Sequence, residues 1–140
     1  PFTKGHEYVI QKSLDVFDEV IIGIGVNTSK QYLFDLEKRI AHIQEIYKNN
    51  DRVTVMTYEG LTTDFCSKVG GSHIVRGLRN SIDFEYEKAI AEMNFMMEKI
   101  ETVFFMSRDE VGAINASIVR EIHKSNGSID AFVSAADKLV

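Results

Sequence analysis

The sequence predicts an α/β protein whose parallel sheet is covered by helices on both faces. Apolar runs of strand length alternate with amphipathic segments of helical length along the chain. The run "EVIIGIGV", residues 19–26, is almost continuously apolar, which is typical of a parallel strand buried on both faces. Together these two observations favour a doubly wound sheet with right-handed crossovers.

Each element follows from apolar spacing and local capping signals. Residues 35–50, for example, place Leu36, Ile40 and Ile43 on one helical face, and Asp35 is a preferred N-cap residue. The predicted helices span residues 5–17, 35–50, 61–69, 83–99, 116–124 and 129–139. The predicted strands span residues 19–26, 52–58, 72–76 and 101–106.

The first predicted helix has no strand before it. The chain opens in "PFTKGH" and enters that helix directly, which leaves one unit of the alternation unmatched. We therefore expect the natural protein to have a further N-terminal strand, giving a sheet of about five strands. Residues 1–140 otherwise read as a single domain, because no linker, repeat or low-complexity tract interrupts them.

Composition restricts the classes of partner and compartment. With 21 acidic and 16 basic side chains the net charge is −5, which argues against a nucleic-acid partner. Cys66 is the only cysteine, so no intrachain disulfide can form, and a reducing cytoplasmic setting is favoured. No apolar run approaches the roughly 20 residues that span a bilayer, so no membrane association is expected.

Functional residues are expected on the loops that leave the strands, because ligands of doubly wound sheets bind beyond the carboxyl ends of the strands. The loops concerned are residues 26–34, 57–62, 76–82 and 107–117.

His6, in "TKGH", stands near a predicted helix N-terminus, where free N–H groups favour phosphate. It could donate to an oxygen of a reacting phosphoryl group, or it could be an ordinary capping or surface residue.

Arg76 and Arg79, in "RGLR", follow a predicted strand and could bind two phosphates through their guanidinium forks. Alternatively, they are surface arginines that bridge to Glu85 or Glu87.

Two further loop residues have the same double interpretation. Lys30, in "NTSK", lies on the same rim but could simply be solvated. Asn115, in "GAINASIVRE", is a good helix N-cap, and the same segment could offer exposed amides to a triphosphate.

Several common nucleotide and metal motifs are absent from the sequence. The glycines of residues 23–25 do not form a dinucleotide fingerprint, because Thr28 stands where the third glycine would fall. His42, His73 and His123 lack metal-ligand spacing, so a structural zinc site is not expected.

The stretches "PFTKGH", "RGLRNSIDFEYE", "AEMN" and "INASIVRE" together resemble bacterial phosphopantetheine adenylyltransferases. These belong to the nucleotidyltransferases marked by a (T/H)xGH loop, and their fold is Rossmann-like. The resemblance runs over essentially the whole chain in the same order. The (T/H)xGH element marks only the superfamily, whereas "RGLR" followed by "DFEYE" is far more specific.

The resemblance implies adenylyl transfer from ATP to 4′-phosphopantetheine, giving dephospho-coenzyme A and pyrophosphate. It also implies Mg²⁺ bound with ATP, coenzyme A as a related ligand, a cytoplasmic location and a homohexamer.

The resemblance also implies roles for individual residues. His6, Lys30 and Arg79 would be catalytic, with His6 on the α-phosphate. The residues implied for ATP binding are His6, Gly77, Leu78, Arg79, Glu87, Val111, Gly112, Ala113, Ile114, Asn115, Ala116 and Ser117. Those implied for phosphopantetheine binding are Lys30, Thr62, Arg76, Ile90 and Asn94. No residue is assigned to a metal.

The sequence departs from the family pattern at two places. The segment Ile114-Asn115-Ala116-Ser117 replaces the usual Ile-Ser-Ser-Thr/Ser, so Ala116 lacks a hydroxyl that would contact the triphosphate. Contact there must then come from backbone N–H groups or from Asn115. The family's first strand and its Gly-Thr/Ser-Phe-Asp turn have no counterpart in these 140 residues.

Alternative functions remain open at this point. The chain could be another small-molecule nucleotidyltransferase, for example one that acts on nicotinate mononucleotide. It could also be a non-catalytic nucleotide-binding relative, or a generic doubly wound binding domain.

Overall fold

The computed structural model describes the backbone of residues 1–140 and every side chain except that of Asp109. The helices are α1 Lys4–Val16, α2 Leu36–Tyr47, α3 Thr62–Lys68, α4 Ser81–Glu98, α5 Asp109–Gly112 and α6 Ala116–Lys124. The strands are β1 Val20–Gly25, β2 Val53–Tyr58, β3 His73–Leu78 and β4 Glu101–Met106. The predicted α/β class and all four predicted strands are confirmed.

The four strands form two parallel pairs. β1 pairs with β2 in a register that sets Val20 opposite Val53. β3 pairs with β4, with His73 opposite Glu101. Among the described residues no ladder joins β1 to β3, and helix α1 contacts both strands. Within residues 1–140 the strands therefore form two halves, and α1 contacts both.

The space between the two halves is open. Two cavities of about 630 Å³ and 260 Å³ occupy it. Both are lined by residues of α1, β1 and β3, namely Val9, Ile10, Ile21, Gly23, Val75 and Arg76. The facing edges of β1 and β3 thus form the walls of the site described below.

The helix predicted over residues 129–139 is wrong. Only a 3₁₀ turn, Ala136–Lys138, forms there, and Ala135 adopts a left-handed φ of 48°. Main-chain carbonyls that a helix would use internally accept hydrogen bonds from distant residues instead. Lys4 donates to the carbonyls of residues 130–132, and His42 donates to the carbonyl of Ser134.

The apolar core is divided in the same way as the sheet. One buried cluster joins β1 to α2 through Ile22, Ile24 and Ile43. The other packs the C-terminal segment against α6 and the loop before α2, and its buried members are Phe34, Val119, Ile129, Val133, Ala136 and Leu139. Burial of these side chains, rather than helix propensity, fixes the C-terminal segment.

Helix α4 carries an exposed apolar face. Ile82 is 79% exposed, Met96 70% and Tyr86 69%, and Met93 and Met97 are also exposed. A contiguous apolar face of this kind is typical of a surface that another protein covers. Within the described part of the chain, no helix has the length and apolarity needed to cross a membrane.

Candidate active site

The larger cavity brings together many of the predicted site residues. Its wall combines the N-terminal turn of α1, the end of β3, the start of α4 and the N-terminus of α6. The predicted residues that line it are His6, Arg76, Gly77, Arg79, Glu87, Val111, Ile114, Asn115, Ala116 and Ser117. They come from four segments of the sequence, so the fold alone makes them neighbours.

The imidazole of His6 is held in one tautomer. The backbone N–H of Thr3 donates to its Nδ1 at 3.0 Å, so Nδ1 carries a lone pair and the neutral ring has its proton on Nε2. Desolvation by burial, helped by the positive charges of Arg76 and Arg79, lowers the pKa of His6 to about 4. At neutral pH the ring therefore presents an uncharged N–H donor.

Arg76 is held by Glu87 of α4. Its Nε donates to Oε2 at 2.9 Å and its Nη2 donates to Oε1 at 2.8 Å. Glu87 is buried, whereas the Arg76 side chain is about half exposed. The guanidinium is therefore fixed in direction while one edge stays open to the cavity.

Arg79 is held by Asp83, one turn into α4. Its Nε donates to Oδ2 at 2.9 Å, its Nη2 donates to Oδ1 at 3.1 Å, and its backbone N–H also donates to Oδ2. Hydrogen bonding from Arg79 lowers the pKa of the Asp83 carboxyl. Of the two acids expected as bridging partners, Glu87 serves Arg76, while Arg79 uses Asp83 and not Glu85.

Comparisons with known proteins identify the family. A cytidylyltransferase-like family model matches residues 1–122. A phosphopantetheine adenylyltransferase of Flavobacterium psychrophilum is 46% identical over 136 residues, covering 97% of this chain and 90% of that protein. Proteins of the same name from Bacteroides thetaiotaomicron and Limosilactobacillus reuteri are 43% and 39% identical, covering 95% and 96% of this chain and 88% and 79% of those proteins. The chain belongs to the phosphopantetheine adenylyltransferase family.

Membership of the phosphopantetheine adenylyltransferase family makes this chain a nucleotidyltransferase of coenzyme A biosynthesis. The resemblance found in the sequence is thereby confirmed at the level of family and enzyme class.

The start of α6 is already capped by its own side chain. Asn115 Oδ1 accepts from the backbone N–H of Ser117 at 2.9 Å and from that of Ile118 at 3.4 Å. Ser117 Oγ in turn accepts from Arg120 at 2.8 Å. The helix-start interpretation of Asn115 is confirmed, and two of the amides that could face a phosphate are occupied.

Other predicted residues lie outside the larger cavity. Thr62 lines the smaller cavity together with Arg76, and its Oγ1 lies 2.8 Å from Tyr58 Oη. Leu78 is buried in the core and belongs to β3, which continues two residues beyond the predicted strand end. Lys30 is exposed on the loop after β1, with its Nζ 5.5 Å from the centroid of the Tyr32 ring. The remaining predicted residues outside the larger cavity are Ile90, Asn94, Gly112 and Ala113.

Among the cavity-wall residues that were not identified as site residues from the sequence are three polar ones. Asp83, the first residue of the helix predicted over residues 83–99, holds Arg79. Arg39 and His42 of α2 also line the cavity, and their spacing of three places them on one helical face. Their position beside the apolar face of the predicted helix over residues 35–50 was the sequence feature that could have identified Arg39 and His42.

Proposed function

We propose that this chain transfers the adenylyl group of ATP to 4′-phosphopantetheine. A phosphate oxygen of phosphopantetheine attacks the α-phosphorus, the bond from that phosphorus to the bridging oxygen of the β-phosphate breaks, and pyrophosphate leaves. The products are dephospho-coenzyme A and pyrophosphate. The observation that carries the proposal is one cavity lined by an uncharged His6 donor and by Arg76 and Arg79.

This reaction does not need a general base. A phosphate monoester has a second pKa of about 6, so it is largely a dianion at pH 7 and can attack directly. The protein's task is to bring anions together in line and to stabilise the charge of the transition state. Fixed N–H donors and cations suit that task, and the cavity wall is rich in both.

In this proposal His6 donates its Nε2 proton in a hydrogen bond to a non-bridging oxygen of the α-phosphate. The bond strengthens as charge accumulates in the transition state, and a preorganised donor of this kind is worth about 3–4 kcal/mol. Thr3 supports this role by fixing the tautomer through Nδ1.

Arg79 is proposed to contact ATP, while Arg76 and Lys30 hold the phosphate of phosphopantetheine. The position of Arg76 supports this division, because it lines both cavities and shares the smaller one with Thr62. Ile90 and Asn94 of α4 are proposed to line that arm further along.

The nucleotide is proposed to lie along the end of β3 and the segment before α6. The residues proposed for ATP besides His6 and Arg79 are Gly77, Leu78, Glu87, Val111, Gly112, Ala113, Ile114, Asn115, Ala116 and Ser117. Glu87 contacts Arg76, so it stands between the two proposed substrate sites.

We propose that Mg²⁺ arrives with ATP, bound to phosphate oxygens, and neutralises part of their charge. Asp83 and Glu87, the acidic residues described in the cavity wall, are engaged by arginines. Among the described residues no cluster of three His, Cys, Asp or Glu side chains offers a metal site.

We further propose that the chain is a single domain, works in the cytoplasm as a homohexamer without nucleic acid or membrane partners, and binds coenzyme A as a product-like ligand. The exposed apolar face of α4 supports an assembly of copies. Sedimentation analysis tests the hexamer: a sixfold mass is expected, and a monomer at micromolar concentration would contradict it.

A pyrophosphate-release assay with ATP and Mg²⁺ tests the activity. Release is expected with 4′-phosphopantetheine and not with nicotinate mononucleotide. Release with the mononucleotide instead would assign a different acceptor. ATP binding without release with either acceptor would indicate a non-catalytic relative.

A further inference from the structure

Arg39 faces the active-site cavity from helix α2. Its side chain is half-buried, and its guanidinium carbon lies 4.4 Å from the centroid of the Tyr32 ring. Stacking on an aromatic face holds a guanidinium in place without using its N–H groups. Those groups thus remain available to a ligand.

The charges of the cavity wall leave Arg39 uncompensated. Arg76 and Arg79 are each neutralised by a bidentate carboxylate, Glu87 and Asp83 respectively. Among the described side chains, Arg39 has neither an ion-pair partner nor a hydrogen-bond acceptor. A half-buried cation without a counter-ion is costly in the empty protein, so an anion that meets it is favoured.

The nearby start of α6 cannot by itself hold a phosphate well. Asn115 occupies the amides of Ser117 and Ile118, Ser117 Oγ is engaged by Arg120, and Ala116 has no hydroxyl. Donors for an anion beside this helix must therefore come from another element. Arg39 lines the same cavity as this helix start, and no acceptor for its side-chain N–H groups is found among the described residues.

We propose that Arg39 binds the terminal phosphates of ATP, the part that leaves as pyrophosphate. This inference rests on the proposed function, since it needs ATP in the cavity with its α-phosphate at His6 and Arg79. The guanidinium fork supplies two parallel N–H donors to phosphate oxygens, replacing contacts that the α6 segment does not provide. It also stabilises the negative charge that accumulates on the leaving group.

Binding of inorganic pyrophosphate to the intact chain tests this role independently of turnover. Arg39→Gln should weaken pyrophosphate binding, measured calorimetrically, about tenfold or more, because a charge-assisted contact is lost. It should raise KM for ATP to a similar degree and leave KM for phosphopantetheine within about twofold. Arg39→Lys should recover part of the affinity, since charge returns without the fork.

Lys38→Gln is the matched control, because Lys38 is the exposed neighbour of Arg39 on α2 and does not line the cavity. It removes the same charge and should change pyrophosphate affinity less than about twofold. Tyr32→Leu tests whether Arg39 has a purely structural role, since Tyr32 packs against its guanidinium. The proposal would be overturned if Tyr32→Leu and Arg39→Gln lost pyrophosphate affinity equally and Arg39→Lys recovered none of it.

Unchanged pyrophosphate affinity in a folded Arg39→Gln variant would also overturn it. If Arg39→Gln does not fold, Arg39→Lys is the deciding variant. It keeps the charge but lacks the guanidinium fork, so it should bind pyrophosphate measurably more weakly than the wild type. Wild-type pyrophosphate affinity in Arg39→Lys would refute the contact. Failure of the wild-type chain to release pyrophosphate would instead contradict the proposed function.

Discussion

Glu87 binds Arg76 through two parallel hydrogen bonds of 2.8 Å and 2.9 Å. Glu87 is 9% exposed and lies on α4, whereas Arg76 lies on β3. A buried acid held in this way cannot readily turn to another partner, so α4 sets the direction of the guanidinium. We therefore expect Glu87 to influence phosphopantetheine binding through Arg76, in addition to its proposed place in the ATP site.

Glu87→Gln should uncouple Arg76 from α4. The amide keeps the shape of the side chain but removes its charge and one acceptor, so the guanidinium loses its fixed direction. KM for phosphopantetheine should rise about tenfold, and the free energy of unfolding should fall by about 1–3 kcal/mol. Steady-state kinetics and urea denaturation measure the two effects.

Glu85→Gln is the control for this change, because Glu85 is exposed on the same helix and has no described ion-pair partner. Its kinetics should match the wild type. An unaltered KM for phosphopantetheine in Glu87→Gln would show that Arg76 does not depend on the pairing.

Asp83→Asn should affect ATP more than phosphopantetheine, because Asp83 orients Arg79. This pair is more exposed than the pair of Arg76 and Glu87, so we expect a smaller loss of stability, about 1 kcal/mol or less. KM for ATP should rise severalfold in initial-rate measurements with phosphopantetheine saturating. A selective rise in KM for phosphopantetheine would reverse the proposed division between the two arginines.

The strands and the rim of the site could be predicted from the sequence because their signals are local. A continuous apolar run indicates a buried parallel strand wherever its partner lies. His6, Arg76 and Arg79 follow from the rule that ligands bind at helix N-termini and strand ends. These rules predict that a residue lies at the edge of the site, but they do not predict which side chains it contacts.

The features that could not be predicted depend on contacts between distant parts of the chain. The carbonyl of Ser134 accepts from His42, 92 residues away, and the carbonyl of Ala131 accepts from Lys4, 127 residues away. These contacts replace the helix that apolar spacing predicted over residues 129–139. Arg39 was not identified for the same reason, since it lines one cavity with the start of α6 only in the folded chain.

Gly77→Ala should destabilise the contact between β3 and α1. A Cβ at this position would lie 2.5 Å from Cγ2 of Val9, closer than real atoms approach. Overpacking of this kind costs about 1–3 kcal/mol and should displace α1, which carries His6. Urea denaturation should show the loss, and kcat should fall with it.

Adding Val9→Ala to Gly77→Ala should restore part of that stability, because it removes the clashing methyl group. Gly112→Ala is the stability control, since a Cβ there meets nothing closer than 3.9 Å. If Gly77→Ala were as stable as Gly112→Ala, β3 and α1 would not be closely packed at this point.

His6→Ala should lower kcat about 10²–10³-fold while changing KM for ATP little, because the Nε2 donor acts mainly in the transition state. Its lowered pKa of about 4 means that this donor stays uncharged over the neutral range. The kcat profile of the wild type should accordingly show no step from His6 between about pH 5.5 and 8. A step near pH 6.5 that His6→Ala abolishes would contradict the neutral assignment.

The same pKa makes stability depend on pH in a defined window. Unfolding returns the pKa of His6 from about 4 to its ordinary value of 6.5. Between these two pH values the unfolded chain therefore binds more protons than the folded chain. The contribution of His6 should therefore lower the stability of the wild type as the pH falls from 6.5 to 4. His6→Gln should flatten that part of the dependence. Equal slopes in the wild type and His6→Gln would mean that the folded protein does not disfavour the imidazolium.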